Sequence, residues 1–324
     1  MSGALTTPTA VGGWRDGDRI DQVLLVRQVD RGRTRTGSPF LRLMLGDSSG
    51  CIPAVMWEDA VCEAGVPMRA RGRVGDHGRY GRQLTVEHLE PVSPDTVSWD
   101  ELVEGPVRPA TELEVELDAL IDSVSQAHLR TLLCRLVGDA YRAAPAAKLH
   151  HHAYRHGLLE HCVGMAQLAD AAARVFPAVD RDVAIAGALL HDIGKLEAYE
   201  HRLGVADLTD AGKLEGEIPL GYYRVRREID AIEGFPPDTA RALVHVILSH
   251  HGRLEYGSPV TPSTREATVV HAVDELSGRL GAFDRLEKDL RDGEQWSRWD
   301  RVLDGQAWFP STGGRSRSDD GDRR

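Results

Sequence analysis

The chain has 324 residues, 41% of them hydrophobic and 27% charged, with a formal net charge of −11. That composition gives ample material for packed cores, suggests two domains, and argues against a strongly basic nucleic-acid coat. No run approaches the roughly 18 uninterrupted apolar residues of a membrane span, and the opening MSGALTTPTAVGG has neither the basic nor the apolar region of an export signal.

From Ile20 to Val92, short apolar runs alternate with turn residues. Strands are predicted near 20–29, 39–46, 50–57, 67–75 and 82–90, separated by RGRTRTG, GDSSG, EDAVCEAG and GDHGRYG. Those breaks carry the Gly, Asp, Ser and Arg that hairpins and strand ends require. Five short strands, with a small insert between the third and fourth, predict an all-β barrel of the OB type over residues 14–95. Such barrels bind single-stranded nucleic acid through a basic groove and aromatic platforms. Residues 14–92 hold 12 Arg against 11 Asp and Glu, a balance of +1, which leaves −12 for the remaining chain. Within the arginine-dense stretch around RGRTRTG, Arg31, Arg33 and Arg35 are candidate phosphate contacts. A solvated hairpin accounts for them equally well. Phe40, Trp57 and Tyr80 are candidate stacking platforms. Phe40 and Trp57 could as well be core or edge aromatics, whereas Tyr80, in a Gly-rich loop, is expected to be exposed.

The stretch SPDTVSWDELVEGPVRPA carries three prolines and no clear period, so residues 96–110 are predicted to be a linker. Beyond it the pattern turns helical, and residues 111–310 are expected to form an all-α domain. Leu113, Leu117, Leu120, Ile121, Val124, Leu132, Leu133 and Leu136 recur at spacings of three and four. Further helices are predicted at 157–175, 180–193, 219–232, 238–249, 264–282 and about 283–292, with no second run of strands. The polar tail 311–324 is expected to be disordered. Four scattered cysteines, Cys51, Cys62, Cys134 and Cys162, form no CxxC pair, so a reduced, cytoplasmic protein is expected.

The helical half carries an unusual set of polar residues in apolar surroundings. His161 lies in GLLEHCVGMAQLADAAARV, His191 and Asp192 close the apolar segment DVAIAGALL, and His250 and His251 follow ALVHVILS in the same manner. Asp274 falls inside EATVVHAVDELSGRL, on the face of Val270 and His271. Burying an imidazole beside a carboxylate is costly unless both are paired or bound to a metal. A lone histidine on an apolar face is usually a satisfied core residue; the joint occurrence of HD, HH and a helical Asp points instead to a divalent ion of the Mn, Fe, Co or Zn kind. Asp170, Asp180 and Asp182 read as surface charges.

The order H…HD…D with HDIGK resembles the HD-domain metal-dependent phosphohydrolases. HHHAYRHGLLEH, LLHDIGK, SHHGRLEYGSP and HAVDEL together are similar, more closely, to the YhaM-like 3′→5′ exoribonucleases, which join an OB domain to an HD domain; the likeness runs over roughly residues 18–310. The resemblance implies that His161, His191, Asp192 and Asp274 are metal ligands, and that His250 and His251 match histidines that hold a second metal. After AGKLEG the family has His in a GH pair, whereas this chain has Glu217. Glutamate ligates hard divalent ions through oxygen, so a second site with altered preference and a weakened or lost one are both open.

On this reading Asp192 bridges the ions if two are bound, and Lys195 meets a non-bridging phosphate oxygen. A helix C-terminal lysine favoured by the macrodipole is the plainer account of Lys195. His151, His152 and Arg155 either line the substrate side or belong to a structural loop. The implied function is a metal-dependent 3′→5′ exonuclease acting on single-stranded RNA or DNA, with one or two ions, Mn²⁺ first and Mg²⁺, Co²⁺ or Fe²⁺ as alternatives. Two other readings stay open: an HD phosphohydrolase of small nucleotides, and a single-strand-binding protein with a degenerate metal site. No GxxxxGK loop supports ATP-driven chemistry. A homo-oligomer is compatible with the sequence, which carries no pattern that sets the oligomeric state.

Overall fold

The computed structural model describes residues 10–58, 60–76, 81–103, 105–106, 108–146, 154–202, 205–288, 290 and 293–310. Tyr80, His151, His152 and the predicted tail 311–324 therefore lie outside the described residues. The chain divides into two compact units between Val273 and Asp274.

The first unit begins with five strands: β1 (Arg19–Arg33), β2 (Pro39–Asp47), β3 (Gly50–Met56), β4 (Pro67–Asp76) and β5 (Arg82–Pro91). They close into a barrel in the order β1-β2-β3-β5-β4, with β3 and β5 parallel and the other described pairings antiparallel. This is the OB-type barrel that the alternating sequence predicts. β1 is long enough to serve two neighbours: Arg19–Leu25 pair with β4 and Leu25–Arg33 with β2. Period-two alternation sends Leu41, Leu43 and Leu45 of β2 inward onto Leu24, Met68, Leu84 and Trp14. The hairpin turn after β2 is set by Asp47, whose Oδ1 accepts from Ser49 N at 2.8 Å. At Gly72 a side chain is excluded outright, since a Cβ would lie 2.2 Å from the Thr85 carbonyl oxygen where the register shifts.

The expected linker is partly ordered. Helix α1 (Trp99–Leu102) packs on the barrel, with Glu101 O accepting from Ser48 N at 2.8 Å and Leu102 buried. Then come α2 (Ala110–Asp122), α3 (Ala127–Leu136), α4 (Asp139–Ala143), α5 (Gly157–Val175), α6 (Arg181–Leu190) and α7 (Lys195–Ala198). A two-stranded hairpin, β6 (Tyr199–Arg202) and β7 (Val205–Leu208), departs from the expectation of helices alone. It is short and paired only to itself, so its four-residue strands leave too little alternation to detect. Helices α8 (Asp210–Leu214), α9 (Glu217–Asp230) and α10 (Pro237–Ser249) follow. The two segments predicted at 264–282 and 283–292 are one helix, α11 (Arg265–Lys288).

Helix α6 is buried on all sides, which explains its run of small residues. A Cβ on Gly187 would sit 2.8 Å from Val246 Cγ1, so this glycine sets how closely α6 and α10 approach. A second core, separate from that of the barrel, gathers α2, α3, α5, α6, α9 and α10. Among the described residues, no helix is long and apolar enough to cross a membrane.

Two of the three aspartates read as surface charges are buried. Asp182 accepts from Ser125 N at 2.9 Å, Ser125 Oγ at 2.6 Å and Gln126 N at 2.8 Å, and so ties the start of α6 to the start of α3. Asp170 pairs with Arg174 and Arg181, and Asp180 caps α6 through Asp182 N and Val183 N. For Asp182 the sequence hides this because its partners, Ser125 and Gln126, lie far back along the chain. Asp182→Ala is expected to cost about 2–4 kcal/mol, since it leaves three donors without their acceptor. Chemical denaturation checks it, and an unchanged midpoint would contradict the role assigned to Asp182.

Candidate metal centre

The histidines converge because four helix ends meet. His191 is the C-cap of α6 and His250 the C-cap of α10, where the chain leaves the helix and side chains can turn towards a common cavity. His191 Nδ1 lies 2.8 Å from the Ala188 carbonyl, and His250 Nδ1 lies 2.8 Å from that of Ile247. A carbonyl oxygen only accepts, so each Nδ1 carries a hydrogen and Nε2 is the nitrogen left to face the cavity. His251 is tied in the same way, with Nδ1 2.9 Å from the Tyr256 carbonyl. Three imidazoles are thus oriented by the kind of outer hydrogen bond that fixes metal-ligating histidines.

Asp192 stands at the middle of this set, 3% exposed. Its Oδ2 is 3.6 Å from His161 Nε2 and 3.3 Å from His191 Nε2, and those two nitrogens are 3.2 Å apart. Its other oxygen, Oδ1, lies 3.7 Å from His250 Nε2. Ligands about 2.1 Å from a common ion stand roughly 3.0–3.4 Å from one another, so the first group is already close to coordination spacing. Across from it, Glu217 Oε1 is 3.5 Å from His251 Nε2, and ligand atoms of Glu217, His250 and His251 all lie within 4.8 Å of one another. Asp274 sits in α11, three residues beyond His271, and is the first residue of the second unit.

Glycines permit this arrangement. The HD turn passes so near the first turn of α9 that a Cβ on Gly194 would lie 1.9 Å from the Glu217 carbonyl oxygen. Gly252 has φ +78°, and a Cβ there would meet the His271 ring at 2.0 Å. That ring in turn donates from Nδ1 to the His250 carbonyl at 2.9 Å. The position of His271 beside Asp274 in the helical pattern carried a signal for proximity, but nothing in sequence announced its partner. Tyr141 gave no signal at all; its buried hydroxyl donates to the Leu189 carbonyl at 2.6 Å, bracing the end of α6 just before the HD pair.

Lys195 opens α7 and puts Nζ 2.7 Å from Asp192 Oδ2. It is the first residue of a helix of four residues, and its ammonium is paired with Asp192. Burial would push the Asp192 carboxyl up, but the Lys195 ammonium and then the His191 and His161 rings outweigh it and hold the group well below the usual carboxylate range. Glu217 goes the other way: burial pushes its carboxyl up, and the Lys195 charge opposes that only in part. Paired acceptors aimed inward, with one carboxylate fully ionised, are what a divalent cation fits. Arg155 is exposed, and among the described residues no contact ties it to this centre.

The barrel carries a separate aromatic patch. The register pairs Gly32 with Phe40, and the two rings of Phe40 and Trp57 lie 5.7 Å apart, with the Arg42 guanidinium 5.2 Å from the Phe40 centroid. Trp57 is 61% exposed and Phe40 half-buried, so neither is core. Arg31 pairs with the inward-facing Leu41 and donates to the Cys62 carbonyl, and Arg33 donates to that of Gly37. Strand alternation therefore puts Arg31 and Arg33 on the face opposite Phe40. Arg35 lies in the turn that follows β1.

The HD domain family model matches residues 158–279. The 3′-5′ exoribonuclease YhaM of Bacillus subtilis is 32% identical over 292 residues, which cover 87% of this chain and 92% of that protein. The 3′-5′ exoribonuclease YhaM of Listeria innocua is 33% identical over 289 residues, covering 86% and 91%.

Proposed function

The chain belongs to the YhaM family of 3′-5′ exoribonucleases, and from that membership and the geometry of its centre we propose a metal-dependent exonuclease that captures single-stranded RNA on the barrel and hydrolyses it from the 3′ end. The observation that carries this is the position of Asp192, one oxygen facing His161 and His191 and the other facing His250. A carboxylate placed so could be shared by two ions. His161, His191 and Asp274 would then supply one ligand set, and Glu217, His250 and His251 the other. Manganese is the preferred ion, and Glu217 makes the second set richer in oxygen than a histidine would.

Divalent ions held there neutralise phosphate charge and lower the pKa of a water. The rest falls to side chains of the chain itself. Three imidazoles have Nδ1 committed to backbone carbonyls, which leaves Nε2 as the nitrogen each offers to the cavity. Lys195 adds a positive charge at the cavity wall, within reach of a non-bridging phosphate oxygen once it lets go of Asp192. Residues 14–95 form the strand-binding domain and residues 111–310 the hydrolytic one. We place the protein in the cytoplasm, with RNA rather than DNA as its physiological strand.

Phe40 and Arg42 lie on the outer face of β2 and Trp57 directly follows β3, next to the β2–β3 face OB barrels use for oligonucleotides. Trp57→Ala is expected to weaken binding of a labelled single-stranded RNA about tenfold, read by fluorescence anisotropy. Arg31→Ala, on the other face, should weaken it less; the reverse order would move the binding surface. The function itself is tested with single-stranded RNA labelled at the 5′ end. A ladder of shortening products that requires Mn²⁺ is expected. Hydrolysis of free nucleotides with no attack on the strand would overturn the proposal.

A further inference from the structure

The described part of the second unit contains a feature that strand capture by the barrel does not use. Of the six tryptophans in the chain, three lie between residues 296 and 308, and all are open to solvent: Trp296 is 58%, Trp299 59% and Trp308 51% exposed. An exposed indole keeps a large apolar surface in water, which is uncommon without a use.

The backbone shows how two of them are presented. Trp296 and Trp308 face each other in an antiparallel bridge. Ser297 N donates to Ala307 O at 2.9 Å, and Phe309 N donates to Gln295 O at 2.7 Å. Bonds on both sides of a pair, and none between its members, define the non-hydrogen-bonded site of a ladder, where side chains stand closest on one face. Ser297 and Ala307, next in the strands, are buried, so the tryptophan pair is the outer face of a small hairpin. A second bridge, Asp300 to Gly305, closes its turn. The sequence along its first arm, Trp296-Ser-Arg298-Trp299-Asp-Arg301, interleaves indoles with guanidiniums.

The hairpin is anchored on α11 inside the same unit. Arg285 pairs with Asp300 at 2.8 Å, Phe283 meets Phe309 edge to face with centroids 6.0 Å apart, and Arg279 donates to Leu303 O. These anchors lie 5 to 11 residues beyond Asp274 on one helix, about 7–16 Å along its axis. The same helix thus carries a hairpin that presents Trp296 and Trp308 on one open face.

We propose that Trp296 and Trp308, with Trp299 and the flanking arginines, stack bases of the single strand on the 5′ side of the nucleotide being removed. The inference rests on the exonuclease reading. Flat, solvent-open rings on one face, alternating with cations, suit nucleobases of any identity.

The test uses the full-length protein with a 20-nucleotide oligouridylate and a diuridylate. Trp296→Ala with Trp308→Ala is expected to lower the ratio of kcat/KM on the long strand to that on the dinucleotide about tenfold. The pair Trp296→Phe and Trp308→Phe should restore most of it. An unchanged ratio overturns the proposal. So does a change in sedimentation at constant ratio, which would make the face a contact with a second copy of the chain. A measurement without turnover separates this idea from the function: 5-iodouridine in the 20-mer, irradiated with wild-type protein in chelator, should crosslink to residues 294–310. Crosslinking elsewhere only would sink the stacking site even if the strand is degraded, and a crosslink there without any degradation would leave the site standing while the nuclease reading fell.

Discussion

Replacing Asp192 with alanine is expected to lower turnover of single-stranded RNA at least about 10³-fold while leaving strand binding nearly intact. The magnitude follows from geometry. Among the described residues, Asp192 is the carboxylate whose two oxygens face different histidine groups, Oδ2 towards His161 and His191 and Oδ1 towards His250. On the proposed reading its loss would remove a ligand from both sets at once and leave Lys195 as a positive charge facing them. Ions at such sites contribute several kcal/mol of stabilisation to the reaction, and each 1.36 kcal/mol is a factor of ten in rate. Binding should survive because Phe40, Arg42 and Trp57 lie in the barrel, whose core is separate from that of the helices. Single-turnover hydrolysis and anisotropy on the same preparation read the two effects. Equal losses in both would show that the ligand set, not the barrel, holds the strand. Asp192→Asn keeps the volume and separates charge from packing.

Most of this centre could be read from the chain because its residues announce themselves against an apolar background. HD after DVAIAGALL and HH after ALVHVILS are polar pairs at the ends of buried helices, and the structure makes His191 and His250 the C-caps. The barrel was equally legible, since five alternating runs bounded by turn residues have few other solutions. What sequence could not show depends on long-range partners. Asp182 looks like any acidic residue at a helix start, and only the fold brings Ser125 and Gln126 to it. Arg31 and Phe40 look like parts of one binding surface until the Gly32–Phe40 register puts them on opposite faces. Lys195 reads as the lysine of a helix end, yet its ammonium reaches the carboxylate three residues back. Gly194 is visible in HDIGK, but its reason is the Glu217 backbone, distant in sequence and pressed against it in space.

Removing the metal is expected to abolish hydrolysis, and reloading the second set should consume base. With chelator, turnover should fall about 10³-fold or more, as for Asp192→Ala, and Mn²⁺ should restore it. The pH dependence of reloading follows from Glu217. Burial holds its carboxyl above the ordinary range, so part of the population is a carboxylic acid just above that range, and an ion bound by Glu217 must displace its proton. Asp192 is held well below its ordinary range and is already ionised there, so it releases none. Affinity of the Glu217–His250–His251 set should therefore rise with pH above the usual carboxylate range and level off once Glu217 is ionised. Calorimetric titration of the chelated protein with Mn²⁺, in buffers of different ionisation heat, should register release of up to about one proton for the weaker site. In Glu217→Gln that release should vanish together with much of the weaker site's affinity, since an amide has no proton to lose and no charge to offer. Proton release unchanged by this substitution would remove Glu217 from the ligand set and leave Asp192 serving a single ion.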